Sequence, residues 1–195
     1  MENIKRKKQK EETARRIIKT AFKVYSEHGF KAPTSLIAKE AGVAHGSVFL
    51  HFPTLDDLLI RLVKEFSCSV SVRINELSQT AENIDELLNG HLDILSDYEN
   101  FYCVLITETT LLPGEAKAVF TGLTEGLSAR FDRLVTDGIE DGTLKRLPAN
   151  ILFNAWIGLV HYYIQNKTLF PAAGSVLKRY KKQLIFTYCE LIRKQ

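Results

Sequence analysis

Between Thr34 and Val48 the side chains keep the spacing of two short helices that meet at a tight left-handed turn. Taking Thr34 as position one, Ile37 is fourth, Ala38 fifth, Ala41 eighth, Gly42 ninth, Val43 tenth and Val48 fifteenth. In a helix-turn-helix the fourth, eighth, tenth and fifteenth side chains face a small shared core. The fifth must be small, because the two helices cross closely there. The ninth favours glycine, because the turn asks for a left-handed backbone. Lys39 and Glu40 fall on the outward face. A plain helical hairpin can share this spacing, so the flanking sequence decides what the unit is for.

The flank is basic. Residues 1–52 carry 11 Lys/Arg against 5 Asp/Glu, and the remainder carries 15 against 18, within a formal net charge of +3. A basic end on a slightly acidic body points to a polyanionic partner, the alternative being a solubilising tail. The charge concentrates in Lys5, Arg6, Lys7, Lys8 and Lys10. Residues 1–11 are expected to be disordered when no partner is bound.

Only 5 prolines and 11 glycines punctuate the 195 residues, and strand-like alternation is scarce, so the chain reads as all-α. Ala14, Ile17, Ile18, Ala21, Phe22 and Tyr25 form one apolar face of a first helix ended by Gly29; Tyr25 is expected to bring its hydroxyl to the surface. Thr34 is expected to cap a helix over Ser35–Ala41, and a third short helix spans about Ala44 to His51. Pro53 ends it, and Thr54 followed by Leu-Asp-Asp opens a long fourth helix. Five further helices are expected, over about 84–96, 100–111, 115–141, 148–166 and 175–194.

The stretch from Arg16 to Leu59 resembles the DNA-binding domain of the TetR family of bacterial transcriptional regulators. Ile17-Ile18 with Ala21-Phe22, then Glu27-His28-Gly29-Phe30, then TSLIAKEAGVAHGSVFLHFPTLDDLL carry the likeness. The resemblance implies an all-α fold of about nine helices. An N-terminal three-helix DNA-binding domain over residues 1–53 would precede a six-helix ligand-binding and dimerisation domain over residues 54–195. It implies a homodimer on double-stranded operator DNA. Ala44, Gly46 and Ser47 are small enough for the third helix to enter a major groove. By match to the motif, His45 and Ser47 meet bases or nearby phosphates, and His51 meets the backbone; His51 can alternatively hydrogen-bond at the core edge. Thr34 can direct N–H groups at phosphate. Two positions depart from the family. Phe49 stands where a phosphate-binding tyrosine is usual, and Leu55 where a lysine is usual. Phe49 and Phe52 are expected to pack in the core, and Leu50 offers apolar contact, for instance to a thymine methyl. The arm is expected to compensate by tracking a backbone or entering a minor groove.

The body shows no nucleophile elbow, phosphate loop or metal-ligand spacing, so neither an enzyme nor a cofactor is expected. A small-molecule effector site is expected among Phe66, Phe101, Tyr102, Leu105, Phe120, Leu127, Phe131, Trp156 and Tyr162. Glu108 and His161 are its polar candidates; either they bind a cationic or hydroxylated compound or they face solvent. The last two helices are apolar nearly all round, which implies burial on several sides. Leu152, Ala155, Leu159, Tyr163, Val176, Tyr180, Leu184, Tyr188 and Leu191 are the expected dimer contacts, in a four-helix bundle about a two-fold axis. The alternative is a larger core within one chain. Cys68, Cys103 and Cys189 have no CxxC spacing and are expected as buried hydrophobes. No signal sequence or membrane span is read, and a cytoplasmic location is expected. The leading function is a repressor released from a palindromic operator by an effector. The alternatives are an effector-independent regulator or activator, and a helical binding protein or enzyme with a vestigial DNA-binding unit.

Overall fold

The computed structural model describes residues 2–194, with side chains from Lys5 onward. Among the described residues the regular elements are helical: α1 Glu2–His28, α2 Thr34–Ala41, α3 His45–His51, α4 Leu55–Thr80, α5 Ile84–Asp97, α6 Glu99–Thr107, α7 Gly114–Glu140, α8 Ala149–Gln165 and α9 Val176–Ile192. Short 3-10 turns follow α6 at Thr109–Leu111 and α8 at Lys167–Leu169.

The helix ends follow local chemistry. Thr54 and Asp57 form a reciprocal cap on α4: Asp57 N–H donates to Thr54 Oγ1 at 3.1 Å, and Thr54 N–H donates to Asp57 Oδ2 at 3.0 Å. Asn83 Oδ1 accepts from Glu86 N–H at 2.9 Å, and Ser175 Oγ accepts from Lys178 N–H at 3.1 Å. Two expectations change. Pro33, not Thr34, occupies the cap position of α2, so the Thr34 hydroxyl is left for another partner. Nor is the start of the chain disordered, because α1 runs unbroken from Glu2. Lysine, arginine, glutamine and glutamate are good helix formers, and no glycine or proline precedes Gly29.

Two compact units form, one from the residues up to 66 with 100–120, the other from 67–99 with 121–195. In the first, Phe101 of α6 lies 4.4 Å from Phe22, 5.2 Å from Phe66 and 6.1 Å from Phe30 between ring centroids. These rings tie α6 to α1, to the α1–α2 connector and to the start of α4. Glu108, just past α6, accepts a hydrogen bond from Phe30 N–H at 2.7 Å. Gly29 beneath it holds φ +75°, a backbone angle that favours glycine, and an added Cβ would sit 2.6 Å from the Glu108 carboxylate and displace it. Tyr25 is fully buried rather than surface-reaching; its hydroxyl has no hydrogen-bond partner, and burial pushes its pKa up to about 12.

In the second unit α9 packs on α5 and α8. The buried Glu99 carboxylate accepts from Val176 N–H and Leu177 N–H, both at 3.0 Å, which satisfies the first turn of α9. Cys189 is buried, and burial pushes its thiol up to about 12, whereas Cys68 is exposed, contrary to expectation. Trp156 is fully buried and donates from Nε1 to His91 Nδ1 at 3.0 Å.

His91 is neutral in the fold, with Nδ1 the acceptor in that bond. Burial first, then nearby His161, pushes its pKa from 6.5 down to about 3. Below about pH 6.5 the unfolded chain takes up a proton that the folded chain refuses. Stability present above that pH is therefore lost as pH falls toward 3, by about 1.4 kcal/mol per pH unit. Urea unfolding at pH 7, 6 and 4.5 should show this acid loss in the wild type and a distinctly shallower one in His91→Gln. Equal slopes would mean that His91 is not held neutral.

Candidate nucleic-acid interface

The turn between α2 and α3 closes as the spacing requires. Gly42 holds φ +63°, Val43 N–H bonds Ala38 O at 3.0 Å, and Gly42 N–H bonds Lys39 O at 3.2 Å. Ile37, Ala38, Ala41 and Val48 are buried, and Val43 is half-buried. With Val48 turned inward, the remainder of α3 points away. Ala44, His45, Gly46 and Leu50 are exposed, and Ser47 and His51 are half-buried. Leu50 is 76% exposed, which internal packing does not explain.

His45 is held in place. Its Nε2 lies 3.0 Å from Thr34 Oγ1, so the hydroxyl freed from capping becomes a partner for the ring. Its other support is Phe49, whose ring meets it edge-on at 5.4 Å and 73°. Phe49 is 41% exposed, so it does not pack in the core as expected; Phe52 does, at 7%. Sequence reasoning missed this support, although a residue pair four apart on a short helix was the available signal. Gly46 has nothing within 4 Å of an added Cβ. The chain's own packing does not need glycine there.

Charge lies beside this face rather than on it. Lys5, Arg6, Lys7, Lys8 and Lys10 are exposed on the first turns of α1. Glu40 on the outer face of α2 pairs with Lys23 at 3.2 Å, and Leu55 is 42% exposed and uncharged. Burial, and then the positive charge of Lys10, lower the pKa of His51.

The effector candidates separate by unit. Phe66, Phe101, Tyr102 and Leu105 are buried in the first, with Tyr102 and Phe120 edge-on at 5.8 Å. Glu108 there is committed to Phe30 rather than to solvent. In the second, Leu127, Phe131 and Trp156 are buried and His161 is half-buried. Tyr162 is 51% exposed, on the outer side of α8, and lines no interior. A cleft of about 490 Å³ between α7 and α8 is lined by Phe131, Phe153, Ser128, Thr124 and Asn154, among others. Among the described residues no three His, Cys, Asp or Glu side chains are placed to hold a metal ion, and no helix is long and apolar enough to cross a membrane.

The dimer candidates also divide. Leu152, Val176, Leu184 and Tyr188 are buried within the chain, so they are not surface contacts; Tyr188 even donates its hydroxyl to Leu152 O at 2.6 Å. The apolar positions that face α5 and the neighbouring terminal helix are consumed there. Ala155 and Leu191 are exposed, and Leu159, Tyr163 and Tyr180 are half-buried. Ile151 and Phe186, absent from the expectation, are 57% and 67% exposed. Helical periodicity shows how apolar a face is, not which neighbour covers it.

The sequence profile of bacterial regulatory proteins of the tetR family matches residues 17–62, and that of the tetracyclin repressor-like C-terminal domain matches residues 78–165. The fatty acid metabolism regulator protein of Bacillus subtilis (strain 168) is 28% identical over 169 residues, 82% of this chain and 87% of that one. The structure of the transcriptional regulator FadR from Bacillus subtilis in complex with stearoyl-CoA superposes with a TM-score of 0.68 at 22% identity, covering 89% of this chain and 96% of that one. A transcriptional regulator from Saccharomonospora viridis in complex with choline superposes at 0.78, with 18% identity, over 95% and 100% of the two chains.

Two substitutions separate surface function from folding. Gly46→Ala should leave thermal stability equal or raised, by up to about 1 kcal/mol, since alanine is the better helix former. It should nonetheless weaken operator binding roughly tenfold or more, because the methyl stands on the exposed face of α3. Phe49→Ala should cost roughly two- to tenfold in operator affinity through loss of the edge contact to His45, with little change in melting. Unaltered DNA affinity in both would remove α3 from the interface.

Proposed function

The chain belongs to the TetR family of bacterial transcriptional regulators, and on that premise we propose that it is a homodimeric repressor which a small molecule releases from a palindromic operator. The observation that carries the reading is the outward side of α3, which is exposed, free of Lys, Arg, Asp and Glu, and begins with the small Ala44 and Gly46, with open space above Gly46. Such a surface fits the floor of a major groove, where Ala44 and Gly46 allow close approach. His45, Ser47 and Leu50 read base edges; Thr34, His51 and the basic turns of α1 supply phosphate contacts. Base contacts give selectivity, while phosphate contacts give affinity and register. The protein works in the cytoplasm.

A second copy docks on the exposed apolar side of the two last helices, through Ile151, Ala155 and Leu159 of α8 and Phe186 and Leu191 of α9. Two-fold pairing brings two copies of α3 to successive major grooves, about one helical turn apart. The effector class with most support is a fatty acyl-coenzyme A thioester. The support is the 28% identical relative named for fatty acid metabolism and the stearoyl-CoA in the similar FadR structure. Leu127, Phe131 and Trp156 offer the apolar surroundings an acyl chain needs, with His161 as a polar partner. Effector binding favours a body arrangement in which the reading helices leave operator spacing, and α4, continuous from Leu55 to Thr80, carries the change.

Selection from random duplexes with the purified protein should enrich an inverted repeat. Stearoyl-CoA should then weaken operator binding by about 5–150-fold, and operator should weaken stearoyl-CoA binding by the same factor, as linkage requires. An enriched repeat that stearoyl-CoA leaves untouched would overturn the effector class but keep the regulator. No enriched sequence would overturn the function itself.

A further inference from the structure

His91 has a second ring nitrogen that the fold leaves unused. The indole N–H of Trp156 can only donate, so the 3.0 Å contact makes His91 Nδ1 an acceptor without a proton. The neutral ring then carries its proton on Nε2, a donor whose direction is fixed by the bond on the other side. No described residue accepts from Nε2. The Tyr188 hydroxyl, whose ring lies 5.1 Å from that of Trp156, does find an acceptor, Leu152 O at 2.6 Å. Trp156 is wholly enclosed, whereas His91 keeps 4% of its surface open. Nε2 is not among the enclosed polar atoms that lack a partner, as the Tyr25 and Ser67 hydroxyls are, so the open part of the ring includes it.

An unmatched N–H this deep in a helical core destabilises the fold. Holding Trp156 does not require it, because an asparagine oxygen in the place of Nδ1 would accept the indole proton equally well. What imidazole adds is a donor on the far side of the ring. Such a donor can meet only an acceptor. A hydrocarbon leaves it unmatched, and an ammonium group, which only donates, leaves it unmatched too. His161, on the same helix as Trp156, lies near enough for its charge to bear on His91. Trp156 itself belongs, with Leu127 and Phe131, to the apolar surroundings assigned above to an acyl chain. The acceptor that an acyl chain carries on its own hydrocarbon is the carbonyl oxygen.

We propose that His91 Nε2–H donates a hydrogen bond to the carbonyl oxygen of an acyl effector, which makes His91 a specificity-determining residue of the effector site. The proposal rests on the effector reading above and deepens it, because it names the atom that tells an acyl group from a hydrocarbon or an amine. Trp156 is a positioning residue: its indole N–H fixes the tautomer and so the side of the ring that donates. No proton is transferred, and the imidazole stays neutral with effector bound. A thioester and a free carboxylate present the same oxygen chemistry to Nε2–H.

The test measures calorimetric binding of stearoyl-CoA and of S-octadecyl-CoA, the thioether that lacks the carbonyl oxygen, to the full-length protein. Two variants separate the two ring nitrogens. His91→Asn puts an amide oxygen where Nδ1 stands, so it keeps the acceptor for Trp156 and removes the far donor. His91→Gln puts its amide nitrogen where Nε2 stands and keeps that donor. Thermal unfolding is the folding control, and the wild-type comparison needs neither variant to fold. The wild type should bind the thioester about 10–100-fold more tightly than the thioether. His91→Gln should retain most of that preference, and His91→Asn should reduce it to less than about threefold. Stearate and octadecylamine distinguish the sources of the oxygen. Stearate bound in place of stearoyl-CoA, with the amine refused, would keep the proposal and overturn the thioester as effector class. Equal binding of thioester and thioether by the wild type would overturn the proposal and leave the effector class standing. So would a preference that His91→Asn retains, which would make His91 a support for Trp156 alone, or one that both variants lose equally. A wild type that binds neither stearoyl-CoA nor stearate overturns the effector class and this proposal together.

Discussion

One backbone conformation at Gly42 sets the geometry of the DNA-binding unit. With φ at +63°, the chain leaves α2 and enters α3 at a fixed angle, and Val43 N–H closes back on Ala38 O. Ala38 at the crossing is nearly fully buried, so a larger side chain there would push the helices apart. Once the angle is fixed, Val48 must point inward, and the positions flanking it must point outward. The exposure of His45, Gly46 and Leu50 is thus a consequence of the turn. So is the approach of Thr34 to His45, eleven residues apart in sequence and in hydrogen-bond contact.

The unit is not only the first three helices. Phe101 and Glu108 come from α6 and the turn after it, yet they meet Phe22, Phe30 and Phe66. The Glu108 carboxylate holds the amide that follows Gly29, where the connector into α2 begins. Through these two contacts α6 and the turn after it are joined to the connector into α2. Charge follows a separate division of labour. The exposed face of α3 carries no Lys, Arg, Asp or Glu, whereas exposed cations sit on the first turns of α1, the separation that a division between base selectivity and phosphate affinity requires.

Much of this was legible from residue order. The left-handed turn, the buried Ile37, Ala41 and Val48 and the stop at Gly29 each depend on neighbours within a few residues. Spacing and side-chain chemistry therefore specify them. What escaped depends on distant partners. Glu108 reads as a stray acid on an apolar helix until Phe30, 78 positions away, is brought to it. Leu152, Val176, Leu184 and Tyr188 look available for a second copy, but the chain's own core takes them first. Periodicity separates apolar from polar faces and is silent on which apolar face meets which neighbour. Thr34 and the basic start of α1 failed differently: the residue types were read correctly, but Pro33 took the cap and helix propensity outweighed the expectation of disorder.

The central claim is that α3 lies in the major groove of each half-site. Ser47→Cys on a Cys68→Ser, Cys103→Ser background, carrying a chelated iron that releases hydroxyl radicals, would cut DNA close to residue 47. Cleavage in two clusters about one helical turn apart, facing the major groove on the selected inverted repeat, is the expected pattern. Cuts that are absent, scattered along the duplex, or confined to a minor groove would contradict it.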